Sequence, residues 1–129
     1  MLSLLNQVTW ESVHFISSGD LESQMDPTLD TYEIDLSPYQ LLEKQDLLRE
    51  ISHALDFPVY FDFNWESLYE GMTDLSWKKE RHFVLIMKNA GPLWCQTPHL
   101  ANKLVTTWQT AAEHWSRSDI PFHLVFVFD

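Results

Sequence analysis

An α/β domain built on a small parallel sheet is the fold class this sequence predicts, and three observations lead there. Two short, continuously apolar runs, His82–Met87 and Phe122–Phe128, have the length and lack of alternation of strands covered on both faces. Stretches with helical apolar spacing lie between the strand candidates. The resulting order β-α-α-β-α-β suits parallel strands, because such strands need long crossovers and helices supply them. Periodicity alone does not choose among three-stranded arrangements of this kind. It predicts about three to four helices packed on three parallel strands.

Taken in order, Trp10–Ser17 has room for an added strand, and Gly19–Asp30 reads as a polar, acidic loop. Together residues 1–30 form an extension to a core spanning 31–129, the whole being one domain. Thr31–Leu36 has period-two character and stops before Ser37-Pro38. From Glu43 to Asp56 the residues Leu47, Leu48, Ile51, Ala54 and Leu55 make one helical face, and Pro58 bounds it. A second helix spans Asn64–Leu75. Asn89-Ala-Gly-Pro92 interrupts the pattern after the His82–Met87 strand. Leu100, Leu104, Val105, Trp108, Ala111, Ala112 and Trp115 then mark a long amphipathic helix before the closing strand.

Residues 57–75 hold the chemistry. An aromatic loop runs into the Asn64–Leu75 helix, where Asn64 is suited to accept from an unpaired first-turn amide. Trp65, Leu68, Tyr69 and Met72 recur at i, i+3, i+4 and i+7 as an apolar stripe. An inward, structural role is expected for Trp65, Leu68 and Met72. Tyr69 stands at the stripe's edge, where its ring can be buried while its hydroxyl meets a partner. Glu66 and Glu70 lie four apart on a different face. Like charges at that spacing repel and slightly weaken a helix. The N-terminal dipole excuses Glu66 but not Glu70. Ordinary solvated charge is the common fate of such pairs, so their setting decides.

That setting, Phe57-Pro58-Val59-Tyr60-Phe61-Asp62-Phe63-Asn64-Trp65-Glu66-Ser67-Leu68-Tyr69-Glu70-Gly71-Met72-Thr73-Asp74-Leu75, follows an amphipathic helix and precedes a buried strand. It resembles the motif of the barstar-like ribonuclease inhibitors and immunity proteins, a likeness running from about Tyr32 to Phe128. Three departures stand out. Asp62 replaces a usual glycine, glutamates replace two usual aspartates, and the first thirty residues have no counterpart in the short members.

The resemblance implies the barstar fold and a protein that plugs the active site of a basic, secreted, barnase-type ribonuclease in a one-to-one complex. It implies no catalysis and no cofactor. By position Glu70 reaches the phosphate subsite, with Glu66 its companion one turn earlier. Tyr60 packs at the rim and Asp74 borders the contact. The family's third acid, on the helix before the last strand, falls on Glu113 or leaves Thr110 in its place. The alternative is a module of this fold that neutralises a different basic toxin or nuclease, and a small hydrolase using Glu66 and Glu70 is the third class.

Charge agrees with a basic partner. The net charge is −11, and residues 1–75 hold fifteen acids against two bases, whereas residues 76–129 hold four acids against six bases. Nucleic acid would be repelled by the acidic half, and a basic protein would be steered toward it. Acidic solubility charge is common, so this feature alone discriminates weakly. A single cysteine, Cys95, excludes an internal disulfide and any zinc site needing two thiolates, and suits a reducing, cytoplasmic compartment. The amino terminus lacks a basic region and a signal-length apolar run, and no stretch approaches a membrane span. The six histidines, His14, His53, His82, His99, His114 and His123, form no HExxH motif, although His82 and His123 begin strands that could be neighbours. No metal is expected, no phosphate-cradling glycine loop is present, and the free protein is expected to be monomeric.

Overall fold

The computed structural model describes residues 12–24, 31–58, 62, 64–78 and 82–128. Nine elements follow one another: β1 (Val13–Ile16), α1 (Ser18–Gln24), β2 (Thr31–Asp35), α2 (Lys44–Ala54), α3 (Trp65–Asp74), β3 (Phe83–Lys88), α4 (Gly91–Gln96), α5 (Pro98–Ser116) and β4 (Phe122–Val127). The four strands form one sheet in the order β1-β4-β3-β2, with every pairing parallel. The expected three-stranded core is therefore present, and the amino-terminal extension does add a strand at its edge.

The apolar runs of β3 and β4 are continuous because both strands are central and both of their faces are covered. Phe83, Leu85, Met87, Phe122, Leu124 and Phe126 point to one side, where they join Leu47, Leu48 and Ile51 of α2, Leu68 and Met72 of α3, and Leu104 and Trp108 of α5. Each such large side chain, withdrawn from water, contributes roughly 1.5–3 kcal/mol. Val84, Ile86, Val125 and Val127 point to the other side, where Leu21 of α1 meets them. The register sets Val84 beside His123, and the Leu124 N–H donates a 2.8 Å backbone bond to the Ser12 carbonyl.

Two helices lie where none was expected. The stretch 19–30 is not a loop throughout, since α1 occupies Ser18–Gln24 and the Asp20 amide donates to the Ser17 hydroxyl at 3.2 Å. A serine followed three residues later by an acid is a helix-start signal, and it is present here. Likewise, Asn89–Pro92 is not only a break. Pro92 stands in the first turn of α4 and Pro98 in that of α5, where a missing amide costs nothing because it would be unpaired anyway.

The helices are held by indole donors as well as by apolar contact. Trp115 Nε1 donates to the Met72 carbonyl at 2.7 Å and so ties α5 to α3, while Trp77 Nε1 donates to the Leu55 carbonyl at 2.9 Å. At the far side of the sheet the Ser37 amide and the Asn89 side chain both donate to Asp35, holding its carboxyl below the usual carboxylate range. β3 and β4, the strands that His82 and His123 mark, are neighbours as expected, and His123, fully buried, meets His14, with Nε2 of His14 2.8 Å from Nδ1 of His123. At that distance one ring nitrogen donates and the other accepts. No group of three or more metal-ligating side chains occurs among the described residues.

Candidate functional site

α3 is the ridge on which the site stands. Asn64 caps it as expected, its side-chain oxygen accepting from the Ser67 amide at 2.7 Å. Leu75 ends it in a left-handed conformation, φ 45°, with its amide bonded to the Gly71 carbonyl. Leu68 and Met72 are fully buried, which settles the apolar stripe as core at those two positions. Trp65 and Tyr69 are half-buried and border a groove instead. Gly71 is needed where it stands: a Cβ there would collide with the Phe57 ring.

Glu66 and Glu70 are both exposed, and neither forms an ion pair among the described residues. They crown the same helix one turn apart but border different hollows. Glu66 and Tyr69 line a groove toward α5, together with Trp65, Lys103, Thr106, Thr107 and Thr110. Glu70 lines a cavity of about 320 Å³ on the other flank, with Asp62, Asp74, Ser67, Gly71, Phe57, Pro58 and Trp77. Asp74 thus lines the same hollow as Glu70. Asp62, which the sequence marks only as a departure from glycine, lines the same hollow. Phe57 and Trp77, whose ring centroids are 5.4 Å apart in an edge-on contact, form the aromatic wall of this cavity.

The remaining candidates divide. Glu113 lies further along α5, exposed and 3.7 Å from Arg117, and shares a third hollow with Thr106, Gln109 and Thr110. Thr110 borders both that hollow and the Glu66 groove, so it stands nearer to the α3 carboxylates' surroundings than Glu113 does. Its hydroxyl is occupied, donating to the Thr106 carbonyl at 2.9 Å. Tyr60 lies outside the described residues. Cys95 is an exposed free thiol away from these hollows. No described helix is long and apolar enough to cross a membrane.

A four-stranded parallel sheet with an exposed, acid-bearing helix ahead of β3 defines an α/β protein that presents carboxylates on a surface helix. The comparison with protein families gives that class a name. The family model described as barstar (barnase inhibitor) matches residues 30–127, and the chain belongs to the barstar family. Proteins of that family are inhibitors of a ribonuclease rather than enzymes. No curated protein matches the chain significantly.

Proposed function

We propose that this protein is an inhibitor of a microbial ribonuclease, of the immunity or antitoxin type, which fills the basic active site with carboxylates standing in for RNA phosphates. The observation that supports this best is the pair Glu66 and Glu70, exposed one turn apart on a capped helix and without an ion pair among the described residues. A ribonuclease that grips phosphates offers arginine, lysine and histidine, and a carboxylate desolvated against guanidinium gains charge-assisted, often bidentate hydrogen bonds. The barnase–barstar complex is itself the reference case in which such pairs are net favourable, so that expectation comes from the family. Glu70 is the residue assigned to the phosphate subsite, with Glu66, Tyr69, Asp74 and Tyr60 around it and Glu113 at the margin. The partner is a basic, secreted nuclease bound one-to-one, and the inhibitor acts as a monomer in the cytoplasm.

One observation favours the second reading, a module of the same fold directed at a different basic toxin or nuclease. Carboxylates Asp62 and Asp74 crowd the Glu70 flank, while the α5 flank presents threonines. The two readings separate in one experiment. Under the first, the protein abolishes RNA cleavage by a barnase-type ribonuclease near one molar equivalent, and association slows steeply as salt is raised. Full RNA cleavage at several equivalents excludes that target class and leaves the second reading. Turnover of a substrate by the protein alone would exclude both.

A further inference from the structure

His14 and His123 close the joint between the first strand and the last. β1 is an edge strand whose neighbour is β4, from Val13 opposite Leu124 to Ile16 opposite Val127. One residue back in that register Ser12 falls beside His123, and both are fully buried. The Ser12 hydroxyl has no hydrogen-bond partner among the described residues. The two imidazoles meet across the strands at 2.8 Å, their planes inclined by 34°. The face they share is lined by Val84, Ile86, Val125, Val127, Ile16 and Leu21. The described titratable groups toward it are His82 and Lys88 of β3, Glu33 and Asp35 of β2, and the exposed Asp20 of α1. Of these, Lys88 pairs with Glu33 at 3.4 Å, and Asp35 accepts from Ser37 and Asn89.

We infer that the His14–His123 pair is a proton-operated latch, which holds the added edge strand on the sheet at neutral pH and releases it in mild acid. The bond between the rings needs one bare nitrogen to accept. While it lasts, the pair therefore carries a single positive charge at most, whatever else each ring touches. A second charge sets N–H against N–H between two cations, one of them on the fully buried His123. Once released, both imidazoles are free to take up a proton below about pH 6.5, the ordinary imidazole range. The released state thus binds one proton more than the docked state. Docking weakens as pH falls through that range, by up to about tenfold per pH unit. β1 responds alone because β2, β3 and β4 pair without it. The unpaired Ser12 hydroxyl regains water on release, which favours the same direction. Release also draws Phe15 from Trp94 and Phe126, whose ring centroids lie 5.3 and 5.4 Å from its own, and bares the β4 edge.

Amide hydrogen exchange of the full-length protein tests the latch, with rates corrected for the intrinsic effect of pH. Between about pH 7.5 and about pH 5, protection of the Leu124 amide, whose acceptor is Ser12, should fall by about tenfold or more. Amides bonded between β2 and β3 should keep theirs. The double variant His14→Leu/His123→Leu, which cannot titrate and suits the apolar face, should flatten the Leu124 response, and His82→Gln should keep it. An unchanged Leu124 amide overturns the inference, as does an equal loss between β2 and β3, which marks acid unfolding of the whole sheet. A response that persists in the double variant or vanishes in His82→Gln overturns it too. Should the double variant not fold, His14→Gln decides. Its side-chain oxygen accepts from a charged ring as well as from a neutral one, so the fall in protection should shrink to about threefold or less. A fall as large as in the unaltered protein overturns the latch.

Discussion

The two flanks of α3 carry the same helix's acids into opposite settings. Toward α5, Glu66 shares its groove with Lys103 and three threonines, whose hydroxyls are spent on backbone carbonyls of their own helix where Thr106, Thr107 and Thr110 are concerned. On the other flank Glu70 stands with two further carboxylates, Asp62 and Asp74, and with no base among the described residues. One flank is close to balanced in charge, and the other is acidic among the described residues. Its three carboxylates are exposed, so water screens their repulsion in the free protein, and a partner cation that displaces that water gains most from them. On the proposed reading, affinity falls chiefly to the loop flank and tolerance chiefly to the α5 flank.

The largest expected effect tests that assignment directly. Glu70→Ala should weaken the ribonuclease complex by more than about 100-fold in titration calorimetry, the behaviour of a desolvated central contact rather than a rim residue. Binding as tight as wild type would remove Glu70 from the phosphate subsite. Gly71→Ala comes next. In a helix interior this change ordinarily gains up to about 1 kcal/mol. Here the new methyl meets the Phe57 ring, which Trp77 backs, so a net loss of about 1–3 kcal/mol is expected from overpacking. A higher melting temperature for the variant would show that the aromatic wall yields.

Glu66→Ala sharpens the contrast with Glu70. With Lys103 nearby and an open groove, about a tenfold loss of affinity is expected, or roughly 1.4 kcal/mol. A loss equal to that of Glu70→Ala would erase the distinction between flanks. The smallest effect belongs to Glu113→Gln, which breaks only an exposed i, i+4 pair with Arg117 at 3.7 Å. Stability should change by less than about 0.5 kcal/mol and ribonuclease affinity by less than about threefold. A larger loss of affinity would make Glu113, rather than Thr110, the neighbour that matters on α5.

Most of the fold was legible because its signals are local. The unbroken apolar runs of β3 and β4, the helical spacing of Leu47, Leu48 and Ile51, and the capping position of Asn64 each act within a few residues. The same kind of signal existed for α1 in Ser17 and Asp20, and for α4 in Pro92, but helices of seven and six residues are too short to repeat the apolar stripe that makes such cues persuasive. The site was half legible. Glu66 and Glu70 stand out because they repel one another on one helix face. The separation of their surroundings depends on α5 docking along one side of α3 through Trp115, 43 residues from Met72, and sequence spacing holds no record of that contact. Asp62 lines the same hollow as Glu70, and in the sequence it shows only as a missing glycine.

The strand order has a consequence for synthesis on the ribosome. β1 takes its place against β4, the last strand to be made, while β2 lies at the opposite margin beside β3. The first strand therefore waits for nearly the whole chain to emerge, and its docking is the closing step of sheet assembly rather than the opening one. Residues 122–127 must be translated before the β1 margin is complete, so a ribosome stalled within α5 holds a nascent chain with β2 and β3 available and β1 still without its neighbour.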